Sequence, residues 1–130
     1  MRISATRTPG LPSPSITLVD GLFKGFADPT RIRILNLLAA GELCVCDLVA
    51  LLRLSQPTVS RHLAYLRRAG LVAARPDLKF TYYRLADPGN PVHQNLLSCV
   101  RSNFRGIAAL DREREAAEAR VAERRARPCR

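Results

Sequence analysis

The feature that most constrains the fold of this chain is a strongly patterned helix that follows another helix after a very short turn. Ser55 is a good N-cap, and Pro57 lies in the first turn, where its missing N–H costs nothing. Apolar residues then recur at helical spacing until Gly70 ends the pattern. These apolar residues are Val59, Leu63 and Leu66. The pattern predicts an amphipathic helix that buries one face.

A shorter helix is predicted immediately before it, from Cys46 or Asp47 to Leu52, with its leucines facing inward. Only Arg53 and Leu54 separate this helix from the N-cap of the next one. Two helices joined by so short a turn are typical of a helix-turn-helix. The spacing therefore predicts this motif, with an apolar inner face.

The flanking segments complete the predicted fold. Asp28-Pro29 supplies an N-cap and a first-turn proline for an earlier helix. Apolar, aromatic and β-branched residues on both sides of a polar turn at residues 76–79 predict a β-hairpin over residues 71–85. The predicted fold class is mainly α with a small β-hairpin, arranged as a winged helix-turn-helix.

The C-terminal part carries a long helical pattern that begins near Val92. Its apolar stripe is Leu97, Val100, Phe104, Ile107 and Leu110, continued more weakly by Ala117 and Val121. Either one helix of about 30 residues or two helices with a bend at Gly106 fits this pattern. One such helix would be about 45 Å long, too long to bury its stripe against so small a core, which favours a partner helix over a solvated tail. We expect a homodimer formed through this region and through an N-terminal helix that carries Leu18, Leu22 and Phe23.

Composition and charge narrow the function. The chain has 130 residues with 21 Lys and Arg against 11 Asp and Glu, a formal net charge of +10 and a sequence pI of about 10.7. Such a surplus attracts nucleic acid more readily than a membrane surface. With no secretion signal and no apolar run of the roughly 18 residues that span a bilayer, we expect a cytoplasmic protein without a membrane partner. The expected layout is a flexible arm at 1–14, a DNA-binding and dimerisation domain at 15–110, and a basic helical extension or tail at 111–130.

The helix after the short turn carries the candidate contacts to double-stranded DNA. Arginines on its outer face oppose the buried one, and small polar residues near its first turn suit phosphates and base edges. Two outward arginines often mark only a solvated helix face, but the preceding helix, the hairpin and the basic charge favour DNA. The predicted contacts, including one at the hairpin tip, are Gln56, Thr58, Ser60, Arg61, His62, Tyr65, Arg68 and Lys79.

The cysteines suggest a metal site. Cys44 and Cys46 lie just before or in the first turn of the helix that opens the motif, where helix N–H groups favour thiolate. Neighbouring thiolates select soft ions such as zinc, cadmium, copper(I), or trivalent arsenic and antimony. Residues i and i+2 of a regular helix point about 200° apart, so both hold one ion only if the turn is non-helical or unwinds. If ion binding unwound this helix, it would distort the helix-turn-helix and so change the affinity for DNA. The alternative interpretation is that Cys44 and Cys46 are simply two small buried residues that bind no ion.

Several motifs together resemble the ArsR/SmtB family of winged-helix, metal-sensing repressors, and in particular its arsenical-resistance branch. The resemblance covers about residues 18–100. It rests on Glu42-Leu43-Cys44-Val45-Cys46-Asp47-Leu48, Ser55-Gln56-Pro57-Thr58-Val59-Ser60-Arg61-His62-Leu63, Leu66-Arg67-Arg68-Ala69-Gly70-Leu71-Val72 and Tyr82-Tyr83-Arg84-Leu85. It implies a homodimer that binds a palindromic operator and leaves it when arsenite or antimonite, the inducer, binds cysteine thiolates. No organic cofactor is expected.

By this resemblance, Cys44 and Cys46 match two metalloid ligands. The family's third ligand falls at position 49, which is Val49 here. Cys99, Cys129 or an outside thiol would complete the site, and Cys99 is preferred to Cys129 because a cysteine so close to the end of a chain often has no fixed position. The zinc site of other family members is not expected, since the corresponding segment offers only Asp87 and His93.

Three other functions compete with this hypothesis. The main alternative is a repressor of the same fold that senses cadmium, lead or thiol oxidation. For oxidation, a disulfide to Cys99 would be less strained than the small ring that a Cys44–Cys46 disulfide closes. An enzyme is not expected, because no Gly-rich phosphate loop or Cys-x5-Arg arrangement follows either cysteine. An RNA-binding module lacks interleaved aromatic residues apart from Tyr82 and Tyr83.

Overall fold

The structure, a computed structural model, describes residues 11–126. Six α-helices, three strands and one π-helical segment follow one another along these residues. In chain order they are α1 Ile16–Phe26, α2 Pro29–Leu38, β1 Leu43–Cys44, α3 Val45–Leu52, α4 Gln56–Arg68, β2 Val72–Asp77, β3 Phe80–Leu85, α5 Pro91–Ser98, the π-helical segment Cys99–Asn103 and α6 Ala108–Ala126. Among the described residues, no helix is long and apolar enough to cross a bilayer.

The helix starts follow the capping chemistry in the sequence. The Asp28 carboxylate accepts a hydrogen bond from the Arg31 N–H at 3.0 Å and caps α2. The Ser55 hydroxyl accepts one from the Thr58 N–H at 3.4 Å and caps α4. Both predicted N-caps are therefore confirmed, and α3 lies between them where a short helix was predicted.

The predicted inner face of α4 forms the centre of the core. Val59, Leu63 and Leu66 are fully buried, and they belong to one cluster with the apolar side of α2. Leu48 and Leu52 of α3 enter the same cluster, while Leu51 is only half-buried against it. The helix-turn-helix is thus held together by the pattern that predicted it.

The hairpin lies within the predicted residues, but its strands are longer and its turn is shorter than predicted, and a third strand pairs with it. Its turn is only two residues, Leu78 and Lys79, because β2 runs on through Pro76 and pairs this proline with Thr81 of β3. The strand order β1-β3-β2 makes β2 an edge strand, where a proline lacking an N–H breaks no ladder. The predicted four-residue turn at 76–79 is therefore wrong, and the two-residue strand β1 was not anticipated.

The C-terminal region consists of two helices, the second of the two alternatives. The break lies around Gly106, whose φ of +94° falls in the region that favours glycine. The Gly106 N–H donates to the Asp111 carboxylate at 3.0 Å, which ties the break to the first turn of α6. After this turn α6 packs against α2 and α3 of its own chain.

The premise that one chain is too small to bury this stripe is wrong for most of its length, whereas Ile107 stays 49% exposed, and the homodimer stays a prediction. Leu110, Ala117 and Val121 are buried within the chain itself, so the region beyond Leu110 is an ordered helix as far as Ala126. Because the chain bends, two shorter helices pack against the same core. A single straight helix of about 45 Å would extend beyond that core. Leu22, assigned to a dimer contact, is also buried in this core, whereas Leu18 and Phe23 of α1 are exposed.

A buried polar network holds α6 in place. Arg114 is only 7% exposed; its Nε donates to the Asn36 side-chain oxygen at 3.1 Å and its Nη2 to the Val100 carbonyl at 2.8 Å. Asn36 in turn donates to the Leu110 carbonyl at 2.9 Å. Burial lowers the pKa of the Arg114 guanidinium, but these acceptors compensate its lost hydration.

Two further contacts fix the course of α6. Glu113 accepts from Arg33 of α2, with a shortest N–O distance of 2.6 Å. At the other side of the helix, Val121 covers Gly41, where an added Cβ would stand 3.0 Å from a Val121 methyl. These contacts direct the last turns of α6 toward the start of α3.

Candidate functional site

Cys44 lies at a junction between the sheet and the helix-turn-helix. It is the last residue of β1, where it pairs with Tyr82 of β3, and it is also the N-cap of α3 in an extended conformation. Its Sγ accepts from the Asp47 N–H at 3.3 Å, and the Asp47 carboxylate accepts from the Cys44 N–H at 3.2 Å. This reciprocal pair is a capping box with a thiol in the usual place of a hydroxyl.

Cys46 lies in the first turn of α3, exposed, and its sulfur is joined to that of Cys44 in a disulfide. The two sulfurs converge because Cys44 is extended while only Cys46 is helical, which is the non-helical arrangement that the spacing allowed. Helix α3 does not unwind for this to happen. For the oxidised form, a disulfide to Cys99 was expected to be more favourable than the small Cys44–Cys46 ring, but in the described fold Cys44 is joined to Cys46.

The cysteine pair belongs to a compact cluster of ligand-type atoms. The two sulfurs and an Asp47 carboxylate oxygen lie within 4.8 Å of one another. Cys99 is outside this cluster: it is a half-buried free thiol at the start of the π-helical segment. Val49, at the position of the family's third ligand, packs against the core, and Cys129 lies outside the described residues.

The last turns of α6 form one wall of the cysteine site. Arg120 and Arg124 pair with the two oxygens of Asp47 at 3.0 and 3.2 Å. The Arg124 guanidinium also lies 5.0 Å from the centre of the Tyr82 ring, a cation–π contact. Between these groups and the cysteines is a cleft of about 290 Å³.

Sequence reasoning missed these wall residues. The four-residue spacing of Arg120 and Arg124 does place them on one helix face. Nothing in the sequence says which carboxylate that face meets, because the contact to Asp47 joins residues more than seventy positions apart. Only the fold of α6 back onto α3 brings them together.

A second cleft, of about 420 Å³, opens on the other side of the cysteines. Its lining includes Gln56 at the start of α4 as well as Lys79 and Phe80 of the hairpin. Two of these residues, Gln56 and Lys79, are predicted DNA contacts. The cysteines, the first turn of α4 and the hairpin tip therefore line one common cleft.

The predicted DNA contacts of α4 fall into two groups. Gln56, Ser60, Arg61 and Arg68 are exposed, as is Lys79 at the hairpin tip. The other three have partners within the fold. Thr58 is half-buried and its hydroxyl accepts from Ser55 at 2.9 Å, Tyr65 lies under the Arg31 guanidinium at 4.0 Å, and His62 has its Nδ1 4.0 Å from an Asp28 oxygen.

Asp28 orders the side of α4 that carries these partnered residues. Partial burial opposes ionisation of its carboxyl, but the Arg31 N–H and the charges of His62 and Arg31 outweigh it and hold the pKa of Asp28 below its ordinary value. The ionised carboxylate thus caps α2 and faces His62 of α4. The Arg31 side chain also connects this region to α1, because it donates hydrogen bonds to the Gly25 and Lys24 carbonyls at the end of that helix.

Comparison with known proteins agrees with this geometry. Residues 28–74 match the family model described as bacterial regulatory protein, arsR family. The arsenic resistance transcriptional regulator ArsR2 of Pseudomonas putida is 43% identical over 90 residues, which are 67% of this chain and 77% of that protein. The arsenical resistance operon repressor of Escherichia coli K12 is 54% identical over 66 residues, 50% of this chain and 56% of that protein.

A solved structure shows the same architecture. HlyU from Vibrio cholerae N16961 superimposes with a TM-score of 0.60 at 32% sequence identity, over 68% of this chain and 90% of that one. The family consists of transcriptional regulators and not of enzymes. Two kinds of observation support the same assignment: α4 follows a short turn with a hairpin wing beside it, and the relatives are regulators of one family. The chain therefore belongs to the ArsR/SmtB family of winged-helix, DNA-binding transcriptional repressors.

Proposed function

We propose that this protein is a homodimeric repressor that binds operator DNA and releases it when trivalent arsenic or antimony binds the thiolates of Cys44 and Cys46. The observation that carries the proposal is the convergence of these two sulfurs at the N-terminus of α3, next to the start of α4 and the wing. The names of two relatives, an arsenic resistance regulator and an arsenical resistance repressor, support the choice of inducer. We place this activity in the cytoplasm.

Metalloid binding requires the reduced cysteines. A dithiol reductant supplies two electrons and two protons to the Cys44–Cys46 disulfide and is itself oxidised to a disulfide. Each thiol then replaces one hydroxide of arsenous acid, so that one As–S bond forms and one water leaves. The N–H groups at the start of α3 favour the thiolate that attacks.

Release of DNA follows from what the Cys44 sulfur does in the absence of the metalloid. This sulfur caps α3 by accepting the Asp47 N–H. A metalloid held by both sulfurs would set their separation and so would shift Cys44, which is the N-cap of α3 and lines one cleft with Gln56 and Phe80. We propose that this shift moves the first turn of α4 relative to the wing. A coupling of about 2.7 kcal/mol between the two sites would weaken operator binding about a hundredfold.

The DNA-binding surface combines α4 with the hairpin tip. We propose that Gln56 and Arg61 approach base edges while Ser60, Arg68 and Lys79 contact phosphates. Tyr65, His62 and Thr58 contribute chiefly by orienting this surface, since each has a partner inside the fold. For the homodimer, the exposed side of α1 is the proposed contact, because Ile16, Leu18 and Phe23 are left uncovered there.

The first experiment is an anisotropy titration of labelled DNA from the gene's own upstream region with reduced protein at fixed salt. Arsenite or antimonite at micromolar concentration is expected to release wild type, whereas Cys44→Ser and Cys46→Ser each hold the DNA. Cys99→Ser, a control of equal chemistry outside the cluster, is expected to respond like wild type. Normal release of both Cys44→Ser and Cys46→Ser would refute the proposed inducer site.

A matched pair tests the DNA surface. Arg61→Gln is expected to weaken operator binding by about 1–3 kcal/mol if it reads a base, and to lower the salt slope by about 1 if it meets a phosphate. Arg112→Gln on α6 removes the same charge from another exposed side chain and is the control. Equal loss in both variants would show that only overall charge matters.

Thiol oxidation is a second candidate signal, and the Cys44–Cys46 disulfide is the observation that favours it. In that case peroxide releases the DNA without any metalloid, and a dithiol reductant restores binding. The same titration, run with peroxide and with cadmium, lead or zinc in place of arsenite, separates these signals. Release by peroxide alone would replace metalloid sensing with redox sensing.

A further inference from the structure

The side chain of Arg31 connects three helices at one point. Arg31 lies in the first turn of α2, and its guanidinium reaches back to the end of α1, where it donates to the Gly25 carbonyl at 3.1 Å and to the Lys24 carbonyl at 2.8 Å. Basic side chains stabilise the end of a helix by binding its last carbonyls in this way. The same guanidinium lies 4.0 Å from the centre of the Tyr65 ring of α4, a cation–π contact. One cation therefore holds the end of α1 against the flank of α4.

A glycine lets α1 approach the end of α4 closely at the same place. Gly25 is buried, and an added Cβ would lie 2.5 Å from a methyl of Leu71, a core residue that follows α4 and is 2% exposed. Gly21, one turn earlier, is open, because an added Cβ would meet nothing within 4 Å. The space beside Gly21 is a cleft of about 260 Å³ that Tyr65 and Arg68 also line. The close contact is thus at Gly25, next to the Arg31 side chain.

This junction links the two surfaces of the proposed function. The exposed side of α1 carries the proposed dimer contact, and α4 carries most of the proposed DNA contacts. In a two-fold dimer that meets through α1, the distance between the two copies of α4 depends on how α1 is fixed to α4 within each chain. Two such helices enter major grooves that are about 34–36 Å apart. One extra base pair moves a half-site by about 3.4 Å and turns it by about 35°.

From this geometry we infer that Arg31, together with the close contact at Gly25, determines which half-site spacing the repressor accepts in its operator. The inference rests on the proposed homodimer and DNA-binding surface, and it deepens them. Arg31 is a positioning residue, because it acts through Tyr65 and the end of α1. Without its contacts, each α4 would move relative to the dimer contact, and operators of altered spacing would be tolerated.

The test compares three labelled operators by anisotropy, with the reduced full chain at one salt concentration. The first is the operator mapped by footprinting in the gene's own upstream region, the second has one extra base pair between its half-sites, and the third has one half-site scrambled. Wild type is expected to bind the second and third about tenfold or more weakly than the first. Arg31→Met is expected to bind the first and second within about threefold of each other, since a loosened junction absorbs one base pair, and still to reject the third.

Arg33→Met is the matched control for charge. It removes an arginine from the same helix, but the Arg33 side chain contacts Glu113 and the Leu52 carbonyl instead. This variant is expected to keep the ratio of affinities that wild type shows for the first and second operators.

A glycine pair tests the same junction without changing any charge, and it serves if Arg31→Met does not fold. Gly25→Ala places a methyl against Leu71 and is expected to narrow the ratio as Arg31→Met does. Gly21→Ala adds the same methyl to the same helix at the open position, and it is expected to behave like wild type.

The outcomes separate this inference from the proposed function. A wild-type ratio in Arg31→Met or in Gly25→Ala would overturn the inference. Equal binding of the scrambled operator by Arg31→Met would also overturn it, because Arg31 would then act on the reading of bases. A wild type that is a dimer by light scattering but binds the first and second operators equally would refute the inference alone, whereas a monomeric wild type would refute the proposed homodimer.

Discussion

Replacing Asn36 with Ala should reveal how firmly α6 is held on the core. Asn36 is 1% exposed and links α2 to α6 at two points, accepting from Arg114 and donating to the Leu110 carbonyl. Asn36→Ala removes both hydrogen bonds. The buried Arg114 guanidinium and the Leu110 carbonyl then each have one hydrogen-bond partner fewer. A hydrogen bond to a charged group is worth about 1.5–3 kcal/mol and a neutral one about 1 kcal/mol, so we expect a loss of about 3 kcal/mol.

Urea unfolding followed by circular dichroism measures this loss. With an m-value of about 2 kcal/mol/M, a destabilisation of about 3 kcal/mol lowers the midpoint by about 1.5 M. Protein concentration must be equal throughout, since a dimer gains stability with concentration. Asn36→Asp is the matched variant: it keeps an acceptor for Arg114, now as an ion pair, and replaces the donor to the Leu110 carbonyl by an acceptor. Its loss should be smaller because the hydrogen bond to the charged group, the stronger of the two, is kept.

A double-mutant cycle with Arg114→Leu tests the reasoning itself. If Asn36 and Arg114 act as one network, the two changes together should destabilise the chain by less than the sum of the single changes. A loss below about 1 kcal/mol for Asn36→Ala, or strict additivity with Arg114→Leu, would refute the idea that this network fixes α6.

Three further predictions concern the site and its supports. Asp47→Asn keeps an acceptor for the Cys44 N–H but loses the ion pairs to α6, so it should cost less than about 1 kcal/mol in thermal unfolding. Asp47→Ala should cost about 2 kcal/mol, because the Cys44 N–H then loses its acceptor as well, although the Cys44 sulfur still accepts the N–H of residue 47. Equal losses would contradict a role of the carboxylate in the capping box. Gly41→Ala should cost about 2 kcal/mol by urea unfolding, since its φ of +144° is costly for alanine and the new methyl would press on Val121; an unchanged midpoint would show that α6 yields there. Burial lowers the pKa of His93, so its unfolded form binds a proton more readily, and stability should be constant above about pH 6.5 and fall as the pH drops toward the folded-state pKa. His93→Gln should flatten that fall in thermal scans from pH 7.5 to 5.0, and an unchanged slope would assign it to another group.

Much of the fold could be read from residues close together in the sequence. The N-caps Asp28 and Ser55 and the stripe of α4 each depend on contacts within one or two turns, and all three were predicted correctly. The Cys44 and Cys46 pair was identified in the same way, as two soft ligands at a helix start. Local hydrogen bonding and periodicity decide such features, so no knowledge of the tertiary fold is needed.

Other features depended on contacts between distant segments. The strand β1 exists only because β3 pairs with it, and two residues are too few to show a pattern. The turn of the hairpin was placed too early because Pro76 was taken to end a strand, whereas the edge position of β2 tolerates it. In both cases the neighbouring strand, which the sequence does not identify, determined the outcome.

By itself, then, the sequence determined the helix-turn-helix, its basic outer face and the two cysteines at its entrance, since each follows from side chains within reach of one another along the chain. Only the tertiary structure decided the place of α6, because a stripe of Leu110, Ala117 and Val121 fits a partner helix or the chain's own core equally well. The bend at Gly106 and the buried Arg114 select the core. That choice brings the last described turns of α6 to Asp47, beside the two cysteines.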